Sequence, residues 1–174
     1  MNINNAENKR YVSILLTELN DGFSFVFKTL CNNIYTHSSI GIDDYPGQFF
    51  SFNMKRGFCI ETLSKKKTDA ACMLYRIEVS EESYQYVKAY IETLIIDSSM
   101  YKYSYVGILL CLLHIPHHIQ NQYFCSQFVA ELLRDSGALV PRKKPSVYLP
   151  KHFAKEPLLS LQYTGTIKEL ATMA

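Results

Sequence analysis

The stretch NQYFCSQFVAELLRDSG, Asn121 to Gly137, predicts an amphipathic helix that begins at a cysteine. Apolar side chains recur along it at helical spacing, while the charged side chains fall on the other side. The apolar positions are Cys125, Phe128, Val129, Leu132 and Leu133. Gly137 supplies the stop, since glycine is common just past the end of a helix. Cys125 therefore lies in the first helical turn.

The first turn gives Cys125 an electrostatic environment that most cysteines lack. Unpaired backbone N–H groups and the positive end of the helix dipole favour an anion there. A thiolate is such an anion, so the pKa of this thiol is expected to fall below its ordinary value of about 8.5. The alternative is that Cys125 is a small buried apolar residue, as most free cysteines are. A nucleophilic role also requires a base, and the histidines are the candidates.

His37 is the histidine best placed to be that base. It opens a predicted strand, in which it shares one face with the small residues Ser39 and Gly41. Small neighbours leave room for a facing side chain and a substrate. On the following strand either Ser51 or Asn53 is expected to accept the imidazole N–H and fix its tautomer. The alternative is that His37 only caps the edge of a strand.

The other four histidines do not suggest a site. His114, His117 and His118 form the sequence HIPHH, which a proline interrupts and no carboxylate accompanies. This pattern favours a loop or helix-end cluster over a metal site. His152 lies in a proline-bounded loop and is expected to be solvated. We therefore expect no metal ion, and the predicted chemistry requires no cofactor.

The order of the predicted elements indicates an α+β fold, with helices packed on an antiparallel sheet. A helix beginning at Phe23 is expected before the histidine, and a helix capped by Ser80 after the central strands. The predicted strands are Tyr11 to Leu19, His37 to Asp43, Gln48 to Met54, Gly57 to Leu63, Ala70 to Val79 and a last strand near Leu159 to Gly165. Tight turns join the second, third and fourth strands into a meander. Residues 1–174 are expected to form a single domain.

Composition narrows the possible partners. The net charge is +2, and 48% of residues are hydrophobic and 20% charged, which is typical of a globular protein. The basic clusters at residues 65–67 and 142–144 are short, so nucleic-acid binding is not expected. Five cysteines without a CxxC pair argue against a disulfide framework. No secretory signal is evident, and the longest apolar run, Val106 to Ile115, is too short to span a bilayer and is expected to be core. We expect a cytoplasmic protein and no membrane association.

The two motifs YTHSSIGID and YFCSQFVAELL resemble those of the circularly permuted papain-like cysteine hydrolases of the NlpC-type superfamily. Their relatives include the lecithin retinol acyltransferase group. In permuted members the histidine precedes the cysteine, as it does here. The resemblance implies a permuted papain-like fold with Cys125 as nucleophile and His37 as base. It also implies that the backbone N–H of Cys125 stabilises an oxyanion.

The resemblance further implies a third polar residue on the strand after His37. Many permuted relatives have a glutamate or a histidine there, whereas this chain offers Ser51 or Asn53. Ser51 is preferred, because its distance from His37 better matches the relatives, and Asn53 is the reserve. The positions expected to border the substrate are Asn53, Tyr103, Tyr123 and Gln127.

These features predict a cysteine hydrolase that acts on an amide or ester bond through a thioester intermediate. The substrate is expected to be a small molecule, a peptide or a lipid-like compound. Two alternatives are a non-catalytic ligand-binding domain on the same fold and a lipid-directed acyltransferase. The sequence carries no indication of the oligomeric state.

Overall fold

The computed structural model describes residues 9–19, 28, 29, 33–65 and 68–173, which form an α+β fold as predicted. The strands are β1 Arg10–Thr17, β2 His37–Ile42, β3 Gln48–Asn53, β4 Gly57–Thr62, β5 Ala71–Val79, β6 Lys102–Tyr103, β7 Gln122–Tyr123 and β8 Ser160–Thr166. The α-helices are α1 Glu81–Ile96, α2 Tyr105–Leu112, α3 Cys125–Asp135, α4 Pro150–Phe153 and α5 Ile167–Met173. Short 3-10 helices occupy Leu63–Lys65, Ser98–Met100 and Pro145–Val147.

Six strands form an antiparallel sheet in the order β4-β3-β2-β1-β5-β8. The meander predicted for β2, β3 and β4 is confirmed, because each pairs antiparallel with the next. The pairing of Thr17 with His37 and of Ile40 with Phe50 sets the register around the histidine. The strands β6 and β7 pair in parallel in a separate two-stranded sheet. β1 lies inside the large sheet and holds β2 in place.

The two faces of the sheet bury different sets of side chains, as alternation along a strand requires. Ile40 and Phe50 belong to the larger core, which also contains the apolar residues of α1 and α3. Leu15 and Phe49 point into a smaller core that includes Ile167 of α5. The α3 helix contacts β2 and β3, so its first residue lies near the strand that carries the histidine.

Two helix ends follow the predicted chemistry. Ser80 is the N-cap of α1, and its hydroxyl oxygen accepts the backbone N–H of Ser83 at 3.1 Å. Gly137 follows α3 with a φ of 74°, a left-handed conformation that glycine adopts without strain. Both predicted helix limits are therefore confirmed.

Replacing Ser80 with alanine is expected to lower the free energy of unfolding by about 1 kcal/mol, because an N–H of the first turn of α1 loses its acceptor. Urea denaturation measures this change. Ser99→Ala is the control, since Ser99 is exposed and its hydroxyl has no hydrogen-bond partner among residues 68–173. An equal loss in both variants would contradict a capping role.

One expectation about an apolar segment differs from the structure, and another lies outside the described residues. The run Val106 to Ile115 forms α2 and the turn after it, and it is only partly core. Ile108 and Cys111 are buried, whereas Leu109 and Leu113 are 59% and 61% exposed. The exposed side arises because α2 packs through one side only. Among the helices of the described residues, none is long and apolar enough to cross a membrane. The helix predicted from Phe23 falls outside the described residues.

His152 was expected to be solvated in a loop, and this expectation is wrong. It lies in α4 and is half-buried. Its Nδ1 accepts the backbone N–H of Leu149 at 2.9 Å, and its ring lies 5.1 Å from that of Tyr148. Burial, followed by the charges of nearby lysines, lowers the pKa of His152 to about 4. The hydrogen bond from Leu149, the N-cap residue, to His152 stabilises the start of α4, so the role of His152 is structural.

Candidate active site

Cys125 is the first residue of α3, as predicted. The preceding residue, Phe124, is extended and makes no side-chain cap, and the first backbone hydrogen bond of the helix runs from the N–H of Phe128 to the carbonyl of Phe124 at 3.0 Å. The backbone N–H groups of the first turn therefore stay available to an anion. One of them, from Ser126, hydrogen-bonds the Cys125 sulfur.

Ser126 also fixes the position of the helix start. Its side chain is fully buried, and its hydroxyl donates to the backbone carbonyl of Tyr148 at 2.6 Å. The segment around Tyr148 packs against α3. This bond holds the first turn, and with it Cys125, against the body of the protein.

The structure brings His37 and Cys125 together. His37 is the first residue of β2, only 3% exposed, and its imidazole hydrogen-bonds the Cys125 thiol. The backbone of the next residue, Ser38, provides another hydrogen bond to the sulfur. The Ser38 hydroxyl is buried and has no partner within the described residues. A thiol and an imidazole are therefore in contact at the meeting point of α3 and β2.

A carboxylate completes the group. The Oε1 atom of Glu61, on β4, lies 2.7 Å from the Nε2 atom of His37. Both side chains are largely shielded from water, with 11% of the Glu61 side chain and 4% of the His37 side chain exposed. Since Nε2 bonds to Glu61, Nδ1 is the ring nitrogen left for the thiol. The carboxylate therefore fixes both the orientation of the ring and the nitrogen that holds the reactive proton.

The electrostatics of the group favour a thiolate and an imidazolium. Burial lowers the pKa of His37, but the Glu61 carboxylate and the Cys125 sulfur outweigh burial and raise this pKa to about 10. Burial raises the pKa of Cys125, but the hydrogen bond and positive charge of His37 outweigh it, so the thiol pKa is lowered. Cys72 lacks such a partner, and burial raises its pKa to about 11. The two buried thiols differ because of His37.

The residue that orients His37 differs from the predicted one, and this is a correction. Ser51 is fully buried, but its hydroxyl donates to the backbone carbonyl of Ser38 at 2.7 Å. The side-chain oxygen of Asn53 accepts the backbone N–H groups of Lys55 and Arg56 in the β3–β4 turn. Both polar groups are therefore occupied by local backbone.

Ser51 nevertheless has a place in the geometry. The pairing of Phe49 with Glu61 and of Ser51 with Cys59 puts these four residues on one face of the sheet. β3 lies between β2 and β4, so the bond from His37 to Glu61 passes over it. A small side chain at Ser51 leaves room for that bond.

The sequence around Glu61 itself indicates that this carboxylate has a partner. In the strand GFCIET, Glu61 is a carboxylate directly after a run of apolar residues. A carboxylate in a strand interior usually has a partner, because an unpaired buried charge is costly. Glu61 lies on the second strand after His37, one strand beyond Ser51 and Asn53.

The predicted substrate-binding residues lie in two different surroundings. Tyr123 is 7% exposed, with its ring against those of Phe52 and Phe128 and its hydroxyl 3.2 Å from that of Tyr90. Such contacts are those of a core residue, and a substrate contact at Tyr123 stays a prediction. Tyr103 is half-buried and lines an open cavity.

Gln127 is also buried rather than at the rim of a site. It is 1% exposed, its amide nitrogen lies 3.3 Å from the Nδ1 atom of His118, and its carbonyl oxygen has no partner within the described residues. A substrate contact there likewise stays a prediction. His118 also lies 3.6 Å from the Glu131 carboxylate. Among the described residues, no group of three or more His, Cys, Asp or Glu side chains is arranged to hold a metal ion.

Comparisons with known proteins do not assign the chain to a family. No family model matches the chain, and no curated protein matches it. The function has to be inferred from the side chains around Cys125.

Proposed function

We propose that this protein is a cysteine hydrolase that cleaves an amide or ester bond through a thioester on Cys125. The observation that carries the proposal is the buried series Cys125, His37 and Glu61, in which a thiol contacts an imidazole that a carboxylate orients. Each group has the role that nucleophilic catalysis requires, namely a nucleophile, a base and an orienting residue.

The reaction follows from the charges of the three groups. The Cys125 thiolate attacks the substrate carbonyl carbon, and the carbonyl oxygen becomes an oxyanion beside the free N–H groups of the first turn of α3. The His37 imidazolium gives its proton to the leaving amine or alcohol as the bond to the carbonyl carbon breaks, which leaves a thioester. Neutral His37 then takes a proton from water, the hydroxide attacks the thioester, and the acid and the thiolate are released.

The order of the residues supports a permuted papain-like arrangement. His37 and Glu61 come from the sheet and precede Cys125, which begins a helix that packs on that sheet. Glu61 has one of the two residue types that the resemblance implies for the third residue, but it lies on the second strand after His37 and not on the first. We propose this fold assignment together with the activity, since both depend on the same three residues.

A trapped acyl-enzyme tests the activity. With p-nitrophenyl acetate, the wild-type protein is expected to release a burst of p-nitrophenolate and to carry one acetyl group on Cys125. Intact mass and peptide mapping locate the group, and neutral hydroxylamine removes it if it is a thioester. Cys125→Ala should abolish both the burst and the label, because the nucleophile is gone.

Cys111→Ala is the matched control, since it removes another buried thiol that lies on α2, outside the sheet that carries His37 and Glu61. It should keep the burst. A label that persists in Cys125→Ala, or that falls equally in both variants, would refute the assignment of the nucleophile.

The acyltransferase is a second candidate, and one observation favours it. Several apolar side chains of α2 are exposed close in sequence to the cysteine helix, among them Val106, Leu109 and Leu113. Such side chains suit an apolar acyl group. An added primary amine that takes the acetyl group from the thioester faster than water does would favour transfer over hydrolysis.

A further inference from the structure

A cavity of about 440 Å³ lies between the β3–β4 turn and the two short strands β6 and β7. Side chains of two chemical kinds line it: the cations Arg56 and Lys102, and the aromatic residues Tyr101, Tyr103 and Tyr105. The reaction proposed above uses none of them. The cavity is therefore available to a separate ligand or to a part of the substrate that lies away from the reacting bond.

The charge of the cavity is positive and uncompensated within the described residues. Neither Arg56 nor Lys102 has an ion-pair partner among them. No Asp or Glu lines the cavity, and residues 98–130 contain neither. Arginine and lysine together favour a ligand with several acceptor oxygens, such as a phosphate or a carboxylate.

The aromatic wall is held by specific contacts. The rings of Tyr103 and Tyr105 lie 5.2 Å apart at 68°, and the Tyr105 hydroxyl donates to the backbone carbonyl of Met54 at 2.6 Å. Gly57 has a φ of 69°, and a Cβ there would lie 2.6 Å from the carbonyl oxygen of Tyr101. Only glycine permits the turn to approach β6 so closely. The aromatic side chains and the turn thus form one preformed wall.

The cavity is close to the proposed nucleophile. Gln122 lines it and precedes Cys125 by three residues, so their Cα atoms lie within about 11 Å of each other. The backbone N–H of Lys102 donates to the carbonyl of Asn121 at 2.9 Å, which ties the cationic wall to the segment leading into α3. A ligand of modest size can span this distance.

We propose that the cavity binds an oxyanion group of the substrate, a phosphate or a carboxylate, between Arg56 and Lys102, with the adjoining aromatic or apolar part against the tyrosines. This inference rests on the proposed function, because it makes the cavity the specificity site for the bond that Cys125 attacks. The enzyme then prefers anionic acyl compounds to neutral ones.

The first experiment compares two alkylating reagents that differ in charge, iodoacetate and neutral iodoacetamide, at Cys125 of the full chain. At about 0.01 M salt the Debye length is about 30 Å, so the cavity cations act over the distance to the thiol. The ratio of the iodoacetate rate to the iodoacetamide rate is expected to fall roughly 10-fold in Arg56→Gln/Lys102→Gln. About 1 M salt should remove the difference between this variant and the wild type.

Lys143→Gln/Lys155→Gln is the matched control, because it removes the same charge at exposed positions that neither line the cavity nor adjoin its lining residues in sequence. If the effect is local to the cavity, the ratio in this control stays within about 2-fold of the wild type. An equal fall in both double variants would show a general charge effect and would overturn the proposal.

The second experiment measures binding without the thiol chemistry. Phenyl phosphate and phenylacetate are titrated against the wild-type protein by NMR, with phenol as the neutral arm. Binding of either anion, lost in Arg56→Gln/Lys102→Gln and retained in the control, supports the proposal, and the stronger anion identifies the group. Equal binding of phenol, or no binding of either anion, overturns it.

The two proposals fail in distinguishable ways. Normal alkylation and acylation of Cys125 without anion binding leaves the hydrolase and removes the cavity assignment. Anion binding that depends on Arg56 and Lys102, in a protein whose Cys125 does not form a thioester, leaves a ligand site and removes the hydrolase.

Discussion

Replacing His37 with alanine is expected to slow alkylation of Cys125 by iodoacetamide about 100-fold at pH 6.5. In the native protein the imidazolium lowers the pKa of the thiol, so the reactive thiolate is maintained at this pH. Without the imidazole, only the desolvation of the buried sulfur and two backbone hydrogen bonds remain. A thiol with an ordinary pKa of about 8.5 is about 1% thiolate at pH 6.5, and burial reduces this fraction further.

The pH profile of the same reaction gives the sign of the effect. The pKa of His37 is raised to about 10, so the imidazolium persists through neutral pH and is lost only as the pH rises through that value. The wild-type rate should therefore be nearly level between pH 7 and 8.5. The His37→Ala rate should rise about 10-fold per pH unit over the same range, as for an unassisted thiol.

His117→Ala is the control for this prediction, since His117 is exposed and the substitution removes an imidazole from the surface. Circular dichroism shows whether His37→Ala keeps its fold. A folded His37→Ala protein with the wild-type rate and profile would mean that the two side chains do not act together.

Much of the fold follows from local patterns in the sequence. The strands β2, β3 and β4 alternate in side-chain character and are separated by turn residues, and the structure has them within one or two residues of the expected limits. Ser80 and Gly137 mark helix ends through chemistry that is local to the backbone. Such features depend on neighbours in sequence and are accessible without a structure.

Elements that depend on distant partners were not predicted. The strands β6 and β7 have two residues each and exist because Lys102 pairs with Gln122 and Tyr103 with Tyr123. α5 covers the smaller core with Ile167 and Leu170, and seven residues at the end of the chain give only a weak helical pattern. Their stability comes from tertiary contacts.

The candidate site shows the same division. A cysteine at a helix start and a histidine on a strand are recognisable individually, and their contact agrees with the expected pair. The third residue depends on the register of two strand pairs, β2 with β3 and β3 with β4, which no local pattern fixes. The two predicted candidates, Ser51 and Asn53, both lie on the adjacent strand, whereas a longer side chain from the second strand, Glu61, reaches the imidazole.

Replacing Glu61 with glutamine is therefore expected to slow acylation of Cys125 by p-nitrophenyl acetate on the order of 100-fold. The amide retains a similar shape, but it removes the negative charge that stabilises the imidazolium and allows the ring to present the wrong tautomer. Both effects reduce the population of the thiolate and imidazolium pair. Burst kinetics at pH 7 measure the acylation rate directly.

Two further variants separate orientation from packing. Glu82→Gln applies the same substitution to an exposed glutamate of α1 and should leave the burst unchanged. Ser51→Ala removes the hydrogen bond to the Ser38 carbonyl, so it should lower the free energy of unfolding by about 1 kcal/mol and change the acylation rate less than 3-fold, or about 0.7 kcal/mol. A larger kinetic loss in Ser51→Ala than in Glu61→Gln would return the orienting role to Ser51. Equal and small losses in both would leave Cys125 and His37 as a two-residue site, because a carboxylate that orients the imidazole cannot lose its charge without slowing acylation.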